Sequence, residues 1–242
     1  MSYKQINNSP VFLVGDLHNN YKNFKQAYEE RNLKDSYFIF LGDTSIAKEE
    51  QFYQFTKLDK LFEKDNNKGL FIRGNHDNPH LHREDIWSKY YKSFEPIHTG
   101  YISINGIKGL VINGAITLNR SLLEDGVNYW KDFDKVDDCS NLTDKVSFII
   151  SHAAPLPDDS DKLLKTNCSK FILEDAALAK ELSNEQTRLK SILHTNKPVL
   201  WCSGHYHTSA SYILNNTCNV YLIERNNIFN FSKNLCKILK KN

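Results

Sequence analysis

The chain has 242 residues, 40% hydrophobic and 12% aromatic, enough apolar side chain to bury one large core, so a single α/β domain over residues 1–242 is expected. With 31 Lys and Arg against 29 Asp and Glu the formal net charge is +2, and the basic run at residues 237–241 reads as a solvated tail, so charge makes no case for nucleic acid or a membrane, though it does not exclude nucleic acid. No stretch approaches the length of a membrane span, the polar residues 1–10 hold no signal-peptide core, and five cysteines without CxxC spacing fit reduced thiols, which together lead us to expect a cytoplasmic protein.

Residues 11–14 form a short apolar run that stops at Gly15-Asp16-Leu17-His18, as a buried parallel strand does at its carboxyl end. Tyr21, Phe24, Ala27 and Tyr28 recur at helical spacing across residues 20–31, and residues 37–41 follow as a second strand ending on Gly42-Asp43. Residues 47–64 make a second crossover helix with Phe52, Phe55, Leu58, Leu61 and Phe62 on one face. Asn66-Asn67-Lys68-Gly69 then turns the chain into a strand at 70–73, which runs into Gly74-Asn75-His76-Asp77. The middle changes character. Residues 101–105 and 108–114 about Gly106 read as a hairpin, and 117–144 as a long loop or cap. Buried-strand runs return at 146–151, just before His152, and at 199–203, just before Gly204-His205-Tyr206-His207. Between them residues 171–194 are helical, with Ser183-Asn184-Glu185-Gln186 read as a capping box that opens a second helix before Pro198. Residues 210–214 and 219–224 about Asn215-Asn216 form a last hairpin, so a mixed second sheet is expected to pack on the first.

The polar clusters at the ends of these runs hold the chemistry. In Asp16-x-His18 and His205-x-His207 the two side chains are two residues apart, so near an extended strand end they project to the same side. Asp43 can bridge two cations with its two oxygens, and Asn75 and His152 offer neutral oxygen and nitrogen donors. Such mixed ligation suits Mn, Fe or Zn better than Ca or Mg, and we expect two divalent ions, with Mn first and Fe or Zn as alternatives. Two such ions can hold a bridging hydroxide as nucleophile and neutralise a phosphoryl oxygen during in-line displacement. Each piece alone has a plainer reading: Gly-Asp after a strand is usually a turn, and a lone His such as His152 is usually a satisfied core residue. Their order and joint presence are what chance does not readily produce.

Read in that order, from Gly15 to His207, the chain resembles the calcineurin-like metallophosphoesterases, whose pattern runs Asp-x-His, Gly-Asp, Gly-Asn-His-(Asp/Glu), a lone His and Gly-His-x-His. The resemblance implies a four-layer α/β/β/α sandwich with two mixed β-sheets. It implies that Asp16, His18 and His207 hold one ion, that Asn75, His152 and His205 hold the other, and that Asp43 bridges them. His76 would be no ligand; it would stand beside the scissile phosphate, protonating the leaving oxygen or stabilising the transferring group, with Asp77 positioning and charging its imidazole. The glycine often found after the first His is Asn19 here, and Asn tolerates positive φ. Gly42-Asp43-Thr44-Ser45-Ile46 lacks the phosphate-clamping Arg of the Ser/Thr protein phosphatases. Arg73 matches their form and is expected to grip phosphate, against the plain alternative of an ion pair. Arg120, in a stretch resembling bacterial and phage members, is a weaker phosphate contact.

The function expected from this resemblance is metal-dependent phosphate-ester hydrolysis, most directly a phosphatase for a small phosphorylated molecule or nucleotide. A phosphodiesterase, a protein Ser/Thr phosphatase and a non-catalytic binding protein on the same fold are the alternatives. His76 together with all the ligand positions argues against the last. The loops that select substrate, at 78–98, 117–144 and 156–167, carry no readable motif. His80 and His82 read as a solvated loop, His98 and His194 as structural, Tyr206 and Cys202 as packing, and Asp158-Asp159-Ser160-Asp161 as an exposed loop.

Overall fold

A computed structural model of the protein describes residues 4–157 and 171–240. Asp158-Asp159-Ser160-Asp161, Cys168 and nearly all of the 156–167 loop lie outside the described residues. In chain order the strands are β1 (Lys4–Ile6), β2 (Val11–Val14), β3 (Tyr37–Phe40), β4 (Lys68–Phe71), β5 (Phe94–Pro96), β6 (Gly100–Ile104), β7 (Ile107–Ile112), β8 (Phe148–Ser151), β9 (Leu200–Ser203), β10 (Ala210–Leu214), β11 (Cys218–Leu222) and β12 (Ile228–Asn230). The helices that matter for the layers are α1 (Tyr21–Arg31), α2 (Thr56–Lys64), α3 (Glu84–Tyr90), α4 (Leu178–Asn196) and α5 (Phe231–Leu239). A five-stranded sheet has the order β12-β2-β3-β4-β5, and a seven-stranded sheet the order β1-β6-β7-β8-β9-β11-β10. Both are mixed. In the first, β2 through β5 run parallel and β12 is antiparallel to β2; in the second, β7, β8, β9 and β11 run parallel between the antiparallel neighbours β6 and β10.

Side-chain alternation explains how two buried sheets share one molecule. Val11, Leu13, Ile39, Leu41, Leu70 and Ile72 point to a central aliphatic layer, where they meet Val111, Ile150, Leu200 and Cys202 of the second sheet. The alternate positions Phe12, Phe38, Phe40 and Phe71 point outward, to Phe24, Tyr28, Phe62 and Trp87 on α1, α2 and α3. Across the molecule Leu110, Ile112, Ile149 and Trp201 face outward to Leu189, Ile192 and Leu193 of α4. The layers are therefore helix, sheet, sheet, helix, as the resemblance implied, with mainly branched aliphatics between the sheets and aromatics under α1, α2 and α3.

Most strand and helix positions agree with the sequence reading, and the differences have local causes. Residues 49–55 form a 3₁₀ helix before α2, where Phe52 stacks on Tyr90 at 4.7 Å and Phe55 meets Tyr21 at 4.1 Å. β4 begins at Lys68, because Asn66 alone, at φ 54°, completes the reversal that four residues were expected to make. The capping box at 183–186 opens no second helix: α4 runs unbroken from Leu178, and Glu185 is one of its buried positions. Lys237 belongs to α5, whose Leu235 and Ile238 are buried, so the basic tail is in part a packed helix. The short β1, β5, β12 and α3 escape sequence reading, since three residues, or two turns, carry too little periodicity to be told from loop. No helix among the described residues is long and apolar enough to cross a membrane.

Candidate metal centre

Five parallel strands end at one place. Asp16 and His18 follow β2, Asp43 follows β3, Asn75 follows β4, His152 follows β8, and His205 and His207 follow β9. The chain reverses sharply at these ends. His18, Asp43, His205 and His207 all have left-handed backbone, with φ of 44°, 48°, 68° and 52°. For non-glycine residues that conformation costs about 1–2 kcal/mol each, a cost typically met at functional sites, where surrounding contacts over-determine the backbone.

The clusters interlock through their carboxylates. The His205 N–H donates to both oxygens of Asp16 at 3.0 Å, and the His76 N–H donates to Asp43 Oδ1 at 2.9 Å. A Cβ on Gly74 would lie 2.1 Å from Asp43 Oδ1, so only glycine lets the strand end come this close to the carboxylate. Asp77 accepts from the Thr44 hydroxyl at 2.6 Å and from the Ser45 and Gly74 N–H groups at 2.8 Å. Its hydrogen bonds thus tie the β3 loop to the β4 loop, and none of them runs to the His76 imidazole.

Two ligand groups emerge around a shared Asp43. Asp16, His18, Asp43 and His207 form one, and Asp43, His152 and His205 the other, with the donor atoms of each group within 4.8 Å of one another. In the first, His18 Nε2 lies 2.8 Å from His207 Nε2 and 3.4 Å from Asp43 Oδ2, and His207 Nε2 is 3.1 Å from Asp16 Oδ2. In the second, His152 Nε2 lies 2.9 Å from Asn75 Oδ1 and 3.4 Å from Asp43 Oδ1. Each oxygen of Asp43 therefore faces a different group. His152 Nδ1 donates to the Leu41 carbonyl at 2.6 Å, which leaves Nε2 turned inward, and Asn75 Nδ2 donates to the Thr117 hydroxyl at 3.2 Å, which turns its carbonyl oxygen inward. Sequence reading missed Thr117 and Thr44, although Thr117 lies inside the stretch noted for its resemblance to bacterial and phage relatives.

The electrostatics of the donor set suit cations. Burial disfavours charge on Asp16 and Asp43, yet hydrogen bonds from His18 and His207 hold the first carboxylate far below its usual range, and the charges of His152 and His76 do the same for the second. Burial also opposes a charged His152, but Asp43 and Asp16 outweigh it and push that imidazole up to about 10. His205, buried and beside His152, is pushed down to about 3 and stays a neutral donor. Buried negative charge that retains a proton this firmly on imidazole would be compensated by bound metal ions, and the N and O donors fit divalent ions.

Two expected phosphate contacts are committed elsewhere. Arg73 is buried; its Nη2 pairs with Asp137 Oδ1 at 2.7 Å, its Nη1 donates to the Phe133 carbonyl at 3.4 Å, and its guanidinium lies 5.9 Å from the Phe133 ring centroid. Arg120 bonds Asp175 at 2.6 Å, Asp134 at 3.1 Å and Glu181, pinning the 117–144 loop to α4. Both were expected to contact phosphate; in the structure these guanidiniums are engaged by internal carboxylates. His82 is not on a solvated loop either. It is buried, faces the Ile97 carbonyl at 3.2 Å, and is pushed down to about 3 by that burial. His98 and His194 are exposed, and Tyr206 donates to the Ala154 carbonyl at 2.8 Å, bracing the two loops that carry His152 and His205. His76 is half-buried, its ring 5.5 Å from that of His18.

Comparison with known proteins follows the same lines. The family model for calcineurin-like phosphoesterases matches residues 9–209. Among solved structures the chain is similar to TT1561 of Thermus thermophilus, with a TM-score of 0.54 at 10% identity over 90% of each chain. It is also similar to a structure described as a novel archaeal phosphodiesterase, with a TM-score of 0.43 at 11% identity over 89% of this chain and 83% of that one. Haemophilus influenzae NAD nucleotidase gives a TM-score of 0.40 at 11% identity over 89% of this chain and 44% of that one. At such identities the likeness to TT1561 is one of fold. No curated protein matches.

Proposed function

Because the chain belongs to the calcineurin-like phosphoesterase family, whose members are metallophosphoesterases with binuclear divalent-metal sites, we propose that it is a phosphatase for small phosphorylated molecules or nucleotides. Asp16, His18 and His207 would hold one ion, Asn75, His152 and His205 the other, and Asp43 would hold both. One observation carries this reading: Asp43 Oδ2 and Oδ1 lie 3.4 Å from His18 Nε2 and His152 Nε2 respectively, so a single carboxylate serves two donor groups. Mn is the expected ion, with Fe or Zn as alternatives, because imidazole, amide and carboxylate donors are mixed.

When bound, two divalent ions supply Lewis acidity and a hydrolytic nucleophile at neutral pH. The chain's own residues do the rest. The N–H of His205 orients Asp16 and the N–H of His76 orients Asp43, so the carboxylates need little rearrangement during turnover. His76, on the rim beside His18, is the group we assign to the leaving oxygen, where an imidazolium delivers a proton. Asp77 is a positioning residue, joining the two loops that bear Asp43 and His76. A small substrate is favoured since the protein-phosphatase clamp after Asp43 is absent and Arg73 is engaged with Asp137.

The test is hydrolysis of an aryl phosphate and of an aryl phosphodiester by Mn-loaded protein, followed by a panel of nucleotides, small esters and a phosphoserine protein. Faster turnover of monoesters, and of small esters over the phosphoprotein, is expected. A preference for the diester or for the phosphoprotein would overturn the substrate assignment.

A further inference from the structure

With Arg73 and Arg120 held by internal carboxylates, another arginine lies on a loop fastened to the backbone of the metal centre. The loop 224–227, which follows β11, is fastened to the first ligand cluster: the Asn226 N–H donates to the Asp16 carbonyl and the Gly15 N–H to the Asn227 carbonyl, each at 3.1 Å. The fit is close, since a Cβ on Gly15 would lie 2.1 Å from the Glu224 carbonyl oxygen. Arg225 sits on this loop, is exposed, and makes no hydrogen bond or ion pair among the described residues.

The ligand group to which Asp16 belongs is also the more open of the two. His18 and His207 have side-chain exposures of 18% and 42%, whereas His152 is fully buried. A permanent cation beside donors that gather cations is repelled by whatever they hold, unless an anion lies between. A phosphoryl group supplies that anion, and a planar guanidinium can take two of its oxygens at once.

We propose that Arg225 grips the phosphoryl oxygens of the substrate that face away from the metal ligands, favouring the dianion of a phosphate monoester over the monoanion of a diester. This rests on the phosphatase reading above. No motif in the sequence marks Arg225, because the loop is brought to Asp16 only by pairing of β11 with β9 and of β12 with β2.

The experiment is calorimetric titration of inorganic phosphate into Mn-loaded wild type, Arg225→Ala and Arg225→Lys, with metal analysis of each and steady-state kinetics on the two aryl esters. Arg225→Ala is expected to keep its metal content, weaken phosphate binding about 10- to 100-fold, and raise KM for the monoester more than for the diester. Arg225→Lys, a point charge without the fork, should fall between wild type and Ala. Unchanged phosphate affinity in Arg225→Ala, or loss of its metal, would overturn the assignment. So would a difference that vanishes near ~1 M salt, where the Debye length of about 3 Å leaves only direct contacts. If the wild type binds metal and phosphate but hydrolyses neither ester, the phosphatase reading fails while the affinity comparison still decides the role of Arg225.

Discussion

The two halves of the metal centre are built differently. In the inner half His152 is held by the Leu41 carbonyl and Asn75 by Thr117, so both donors are aimed by partners that are themselves part of the fold. In the outer half His18 and His207 lie chiefly against each other and the carboxylates of Asp16 and Asp43, and the contact to a side chain outside the ligand set is the weak one from Ser45 Oγ, 3.5 Å from His18 Nδ1. One half is set by packing and hydrogen bonds, the other by the charges it gathers. Preorganised, buried donors lose less on binding and act in a lower dielectric, so the inner half should bind its ion more firmly and the outer half should be where substrate exchanges.

The largest effect should come from breaking what the halves share. Asp43→Asn removes the common carboxylate, and metal analysis should show occupancy falling at both positions, with turnover down by more than about 100-fold. A variant that keeps one ion at full occupancy would contradict the bridging role and leave the halves independent. His76→Ala probes the open rim instead: both ions should remain, and turnover should drop about 10²- to 10⁴-fold. The drop should be smaller for an aryl than for an alkyl phosphate, because an acidic leaving oxygen departs without a proton; equal losses would reduce His76 to a phosphate contact.

A third measurement probes the wall behind the inner half. Glu185 is buried, and that burial raises its carboxyl to about 7 although the Ile116 N–H beside Thr117 donates to it. Between the ordinary value of 4.5 and about 7 the folded chain carries a proton that the unfolded chain has lost, so stability should fall as pH rises through that window and stay level on either side. At about 1.4 kcal/mol per pKa unit the fall is at most about 4 kcal/mol, and Glu185→Gln should abolish it in denaturant melts run from pH 4 to 8. A pH profile unchanged by the substitution would place the titration elsewhere. The smallest effects sharpen the comparison itself. Thr117→Val, which removes the hydroxyl that aims Asn75, should weaken one metal site about 10-fold, while Ser45→Ala in the outer half should change affinity little. Equal losses would erase the distinction between the halves.

Where the structure adds to the sequence reading, tertiary packing is the reason. Arg73 matches a phosphate-clamp pattern, but the loop carrying Asp137 and Phe133 folds over it and claims the guanidinium. Arg120 likewise meets Asp175 and Glu181, one immediately before α4 and the other on it. Ser183 to Gln186 has the composition of a helix start, but Leu182, Glu185 and Leu189 keep a continuous buried face that carries α4 through it.

What the sequence determined by itself is local. Short continuous apolar runs placed the strands, the polar clusters at their ends named the donors, and parallel strands ending together explain why those clusters can meet. The tertiary structure decided which charged groups remain free for substrate. A guanidinium's role depends on which carboxylates the fold brings within reach, and chain-local periodicity carries no trace of a contact such as that of Arg73 with Asp137, 64 positions apart, or of the pairing that sets the Arg225 loop beside Asp16.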